Sequence, residues 1–146
     1  MRYFVLLAVV SLVSCSDKSK AVEEFSLRPL TLPGGKVMQV ETAYSNIELL
    51  RGLMFRKELA PDRGMLFIYP GPNRYQTVMY NVVIPLDIIW MDADHHIIGI
   101  DENAPPCTTQ ASRCMKYGGK VSSFALEIAA GLSRKYGLKP GDVLQF

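Results

Sequence analysis

Leu86-Asp87-Ile88-Ile89-Trp90-Met91-Asp92-Ala93-Asp94-His95-His96-Ile97-Ile98-Gly99-Ile100 carries the clearest structural signal in the chain. Two largely apolar runs of strand length, residues 86–91 and 96–100, flank four residues of which three are polar. Apolar runs this short, rich in isoleucine and bounded by Asp, read as strands rather than helices. Asp92-Ala93-Asp94-His95 between them reads as a hairpin loop.

Working outward, Met65-Leu66-Phe67-Ile68-Tyr69 is another continuous apolar run, ended by Pro70-Gly71-Pro72-Asn73. Residues 76–81 and 121–128 read as further strands, with Gly118-Gly119 as a flexible turn before the latter. Residues 129–136 predict a short helix closed by Gly137, with Leu138 packing behind it. Lys139-Pro140-Gly141-Asp142 is turn chemistry leading into a terminal strand, Val143-Leu144-Gln145-Phe146. On the other side, Pro61-Asp62-Arg63-Gly64 is also a turn. Ser45-Asn46-Ile47-Glu48 has the spacing of a capping box and predicts a helix with Ile47 and Leu50 on its buried side, stopped by Gly52. Residues 37–41 form an imperfectly alternating first strand. The sum is an α+β fold: a strand-rich, curled antiparallel or mixed sheet, or a small barrel, with two short helices. No internal repeat divides it, and residues 36–146 read as a single globular domain.

The N-terminus has a different character. Met1-Arg2 is followed by an apolar run over residues 3–13, about half the roughly 20 residues a membrane-spanning helix needs. Leu12-Val13-Ser14-Cys15 stands where a bacterial lipoprotein signal is cut. Residues 1–14 therefore read as a removable signal peptide and Cys15 as the lipidated first residue of the mature chain. Residues 15–35 read as a lipid-anchored tether and fold entry, polar at first and then punctuated by Pro29, Pro33, Gly34 and Gly35. Ser16, rather than Asp, follows the cysteine, which favours the periplasmic face of the outer membrane if the cell is Gram-negative. The expected partner is thus a membrane, through the lipid on Cys15, with an envelope small molecule or protein beside it.

Losing the signal removes Arg2, so the formal charge falls from +2 to +1. A near-neutral domain lacks the basic footprint of a nucleic-acid binder. Cys107 and Cys114 remain as an even pair in an oxidising compartment and predict a disulfide. Their spacing fits neither the usual redox dithiol nor a common zinc motif.

Several motifs occur in order: Arg51-Gly52-Leu53-Met54-Phe55-Arg56, Gly64-Met65-Leu66-Phe67, Met79-Tyr80-Asn81, Ile84-Pro85-Leu86-Asp87-Ile88-Ile89-Trp90, the two cysteines, Leu126-Glu127 with Gly131, and Gly141-Asp142. Together they resemble the bacterial and archaeal domain-of-unknown-function family 192, over roughly residues 36–146. The resemblance implies a compact, strand-rich domain and a cysteine pair in the equivalent loop, and it implies no activity. Two positions depart from the family pattern: Thr77-Val78 stand where an aromatic pair is usual, and Tyr80 where a basic residue is usual.

Arg56, Asn81, Asp87 and Glu127 interrupt or flank apolar segments. They are the ligand-binding candidates, with Arg56 engaging an anionic group, Asp87 or Glu127 orienting it, and Tyr80 and Trp90 as aromatic contacts. The competing reading is internal hydrogen bonding, in which Arg56 pins a loop, Asn81 satisfies a turn and Asp87 caps one. An enzyme would use Asp87 or Glu127 as general acid or base. Soft thioethers at Met38, Met54, Met65, Met79, Met91 and Met115 allow a copper-handling role, although methionine in apolar strands is usually core filling. His95 and His96 beside Asp92 and Asp94 allow a surface metal site, against the plainer reading of a solvated turn. Ser122-Ser123 lacks a hydrolase elbow, and Gly118-Gly119-Lys120 is too short for a phosphate loop. No catalytic residue, cofactor or metal is assigned, and the leading expectation is a non-catalytic envelope binding module.

Overall fold

In the computed structural model, which describes residues 25–146, the strands in chain order are β1 (Leu27–Thr31), β2 (Val37–Ala43), β3 (Arg63–Val78), β4 (Leu86–Met91), β5 (Ile97–Ala104) and β6 (Lys116–Ala129). They form one six-stranded sheet in the order β1-β2-β3-β6-β4-β5. Every pairing is antiparallel except β2 with β3, which is parallel. The signal segment, Cys15 and most of the tether lie outside the described residues.

The sheet is mixed and open, so the small-barrel alternative is incorrect. Its edges, β1 and β5, do not pair with each other. The C-terminal residues lie between the two ends instead. Thr31 and Gln145 exchange backbone hydrogen bonds of 2.8 and 3.1 Å, and His96 bridges Val143. Residues 143–146 thus make isolated bridges where a full strand was expected.

Strand alternation sends side chains to opposite faces, and both faces are covered. On one, Leu66, Ile89, Met91, Leu126 and Ile128 pack with Leu132, Leu138 and Leu144. On the other, Met65, Phe67, Ile88, Trp90 and Ala125 pack with Leu53, Met79 and Val82. This explains why all six residues of β4 are buried: the strand is central and neither face meets water.

Two short helices flank the sheet. α1 (Asn46–Arg51) has the expected capping box, with Ser45 Oγ accepting from Glu48 N and Glu48 accepting from Ser45 N, and it ends at Gly52. Ile47 and Leu50 do not turn inward, however; they are 70% and 77% exposed. The helix lasts only six residues, and Leu49 and Leu53, four apart, make the contacts with the core. α2 (Leu132–Lys135) ends as expected: Leu138 N donates to Ser133 O and Gly137 N to Arg134 O, the paired bonds of a Schellman motif.

Other expectations shift. β1 occupies part of the stretch read as tether and fold entry. β3 runs through Pro70-Gly71-Pro72 rather than ending there, and it takes in residues 76–78 of the separate strand expected at 76–81, the rest being an isolated bridge and a turn. Its pairing with β6 slips between Ile68 and Asn73 and again between Arg74 and Gln76. Proline lacks the ladder's N–H donor and is tolerated at such irregularities. Gly118 and Gly119 lie inside β6 rather than in a flexible turn. A Cβ on Gly118 would stand 2.5 Å from the Trp90 ring, so glycine there permits close packing.

Candidate functional site

Beyond α1 the chain folds back over β2. Gly52 leaves the helix with φ 44°, Phe55 takes φ 64°, and Phe55 N donates to Asn81 O at 2.8 Å. These turns aim Arg56 at Glu41 on β2. Arg56 Nη1 donates to Glu41 Oε1 at 2.5 Å, and Nη2 pairs with Oε2, a two-pronged contact between half-buried side chains. Around this pair opens a cleft of about 810 Å³. Arg51, Arg63 and Glu58 add charge to its lining, while Phe25, Leu27, Met54 and Leu59 supply apolar wall. The Arg51 guanidinium lies 4.3 Å from the centre of the Phe25 ring.

Of the six residues nominated from sequence, only Arg56 lines this cleft. Asn81 has φ 56°, which asparagine tolerates better than most residues. Its N–H donates to Cys107 O at 2.9 Å, and Cys107 N donates to Met79 O at 3.2 Å. Tyr80 bridges Cys107, and Cys107 is disulfide-bonded to Cys114 with Cα atoms 5.9 Å apart. Tyr80 and Asn81 therefore join the cysteine loop to the turn after β3. Trp90 is buried; its Nε1 donates to Asp101 Oδ2 at 2.8 Å, and Gly118 N donates to the same oxygen at 3.0 Å.

Asp87 neither faces Arg56 nor sits in its cleft. Oδ1 accepts from Asn103 N at 2.8 Å, while Oδ2 accepts from Ser133 N at 2.9 Å and Ser133 Oγ at 2.7 Å. Burial alone would raise this carboxyl, but the donors from Asn103, Ser133 and Gly131 together hold it below its ordinary range. It borders a smaller recess of about 260 Å³ with Glu102, Asn103, Gly131 and Arg134. Glu102 accepts from Arg134 at 2.6 Å beside it.

Glu127 is 5% exposed, and its carboxyl makes no hydrogen bond or ion pair among the described residues. Burial pushes its carboxyl up to about 8. Burial and the nearby Glu127 also raise the Tyr69 hydroxyl well above the usual phenol range. Strand register sets Glu41, Met65, Glu127, Ile88 and Asp101 in one transverse row. Glu127 thus occupies the middle of the sheet, one strand beyond Met65 from Glu41, outside both recesses. The expected partnership of Arg56 with Asp87 or Glu127 does not form.

The methionines do not converge. Met38 and Met91 belong to one core cluster, Met65 and Met79 to the other. Asp92, Asp94 and His96 bring one potential ligand atom each within 4.8 Å of the others. Asp92 Oδ1 already accepts from Asp94 N and His96 N at 2.9 Å, as a turn residue does. His95 instead stacks on Phe146, 3.9 Å between centroids. Glu41, Arg63 and Phe25 went unnominated: the first ends an alternating segment, the second lies in a turn motif, and the third lies in the supposed tether.

Sheet, helices and cleft define a small α+β domain with a basic and apolar recess at one edge. Residues 30–146 match the family model DUF192, "Uncharacterized ACR", and the chain belongs to that family. A protein of unknown function from Novosphingobium aromaticivorans DSM 12444 is 33% identical, with 86% of this chain and 89% of that one covered and a TM-score of 0.76. A candidate transcription regulator from Sinorhizobium meliloti 1021 is 29% identical, with coverage of 84% and 95% and a TM-score of 0.73. No curated relative matches the chain.

Proposed function

We propose that this protein is a lipid-anchored envelope module that binds, without turnover, a small molecule carrying an anionic group beside an apolar part. The carrying observation is the composition of the larger cleft: Arg51, Arg56 and Arg63 against Glu41 and Glu58, with Phe25, Leu27, Met54 and Leu59 alongside. Arg56 is held by Glu41, so its orientation is set before any ligand arrives. Arg63 is exposed at the cleft wall. A guanidinium next to an apolar wall suits a carboxylate or phosphate attached to a short hydrocarbon.

The catalytic alternative has less support. The acceptor oxygens of Asp87 are committed to three donors. Glu127 lines neither recess, and an acid or base must reach the proton it moves. The division of the buried methionines between opposite faces likewise weighs against a shared copper site.

Hexyl phosphate is a suitable probe, with inorganic phosphate and hexanol as controls. Calorimetry on the full chain should show saturable binding of hexyl phosphate, tighter than either control. Arg63→Ala should weaken it roughly tenfold, the loss of one charge-assisted contact. Equal affinity in the variant, or no binding of hexyl phosphate, would sink this reading.

A further inference from the structure

The least explained feature of the surface is the outward side of α1. Ile47 and Leu50, one turn apart, point into solvent at 70% and 77% exposure, and Tyr44 and Phe55 are exposed at 61% and 69%. Leu27 at the start of β1 is also exposed. A six-residue helix that turns Leu49 inward but leaves Ile47 and Leu50 outward presents an unpartnered apolar surface. Lys57 is exposed two residues beyond Phe55, and Arg51 stacks over Phe25.

We infer that this face docks on the anionic surface of the bilayer that holds the lipid anchor, an inference that rests on the anchoring of Cys15 proposed above. Two observations favour lipid over a second copy of the chain. The first is distance. Nine residues lie between Cys15 and Phe25, a reach of at most about 35 Å when extended and of about 20 Å as a coil. Phe25 is where the described chain begins, and it lies under Arg51 of the same helix. A short tether confines the face near the bilayer at an effective concentration in the millimolar range, so weak intrinsic affinity suffices. The second is composition. Aliphatic and aromatic side chains, with Arg51 and Lys57 beside them and Glu48 and Glu58 in the same stretch, match the amphipathic boundary between headgroups and acyl chains. Arg51, Gly52 and Met54 also line the larger cleft. Docking therefore turns the cleft mouth toward the headgroup layer.

The test uses the full chain in vesicles of phosphatidylglycerol and phosphatidylethanolamine with brominated acyl chains. The native tryptophan, Trp90, is buried and gives a constant background. Leu50→Trp places a reporter on the proposed face, and Val121→Trp places one at another exposed position on β6. Quenching should be at least about twofold stronger for Leu50→Trp, as expected of a side chain at the headgroup–acyl boundary. In a second variant, Ile47→Ser with Leu50→Ser, thermal stability should hold because both positions are exposed. Protection of the α1 amides against hydrogen exchange at the vesicle should then be lost. Mass spectrometry of the same preparation reports the lipid on Cys15. A lipidated chain with equal quenching at the two positions overturns the docking and leaves the anchor standing. A chain without lipid overturns both. A blue-shifted Leu50→Trp emission in lipid-free solution, with a dimer by light scattering, assigns the face to a second copy and also overturns the docking.

Discussion

Asp87 and Glu127 are buried carboxyls on neighbouring central strands, yet their surroundings give them opposite titrations. Donors hold Asp87 ionised, so its stabilisation is present above the ordinary value of 3.8 and is lost as pH falls through the depressed native one. Glu127 has only desolvation acting on it. The unfolded chain releases that proton near 4.5 and the folded chain only near 8, so Glu127 makes stability fall as pH rises through that window. Glu127→Gln should remove this slope. Urea unfolding of the variant and the parent should diverge in the variant's favour from about pH 5 to about pH 8, by up to a few kcal/mol. A parallel pair of stability curves would show that the native carboxyl is not held protonated. Both residues were legible in the sequence as polar interruptions of apolar runs. Their partners were not, because Asp87 is satisfied by the backbone of Asn103 and Ser133, and no side-chain pattern announces such donors. Arg56 was legible as well, but its acceptor, Glu41, looked like the polar half of an ordinary strand.

Among the elements, those defined by local chemistry were readable and those defined by neighbours were not. The capping box of α1, the Schellman ending of α2 and the β4–β5 hairpin each follow from residues within a few positions of one another. The lengths of β3 and β6 depend on each other, and the register slip between Ile68 and Asn73 lets their pairing pass the prolines. Gly118, at φ +88°, illustrates the point, since it pairs with Gln76 of β3 and lies against Trp90 of β4, contacts between segments far apart in sequence. Gly118→Ala should cost about 3 kcal/mol, from left-handed strain together with overpacking against the indole, and would register as an earlier urea midpoint. The cysteine loop behaves differently. Reducing Cys107–Cys114 releases a closure worth about 2–3 kcal/mol. Because Cys107 bonds to Met79 and Asn81 through the backbone, loosening should reach the turn after β3. A thermal melt with and without reductant should show the drop in stability, and amide exchange at Asn81 should show where it spreads.

For the molecule as a whole, the sheet order was the least legible property. Hydropathy marks which segments are strands but not that β6 inserts between β3 and β4, or that β2 and β3 run parallel. The exposure of Ile47 and Leu50 was hidden for a related reason: their spacing suits a buried helical face, but tertiary packing chose Leu49 and Leu53 instead. The position of β6 also has a temporal consequence. The strand that joins the two halves of the sheet, residues 116–129, is the last one synthesised. Until it emerges, β3 lacks its antiparallel neighbour and β4 has only β5. On the export route proposed above, a chain threaded from its N-terminus delivers most of its apolar strands before the piece that unites them. Such non-local pairing is slow to form and exposes unpaired edges meanwhile. On that proposed route the fold is completed only after almost the entire passage, and the polypeptide stays pliable until then.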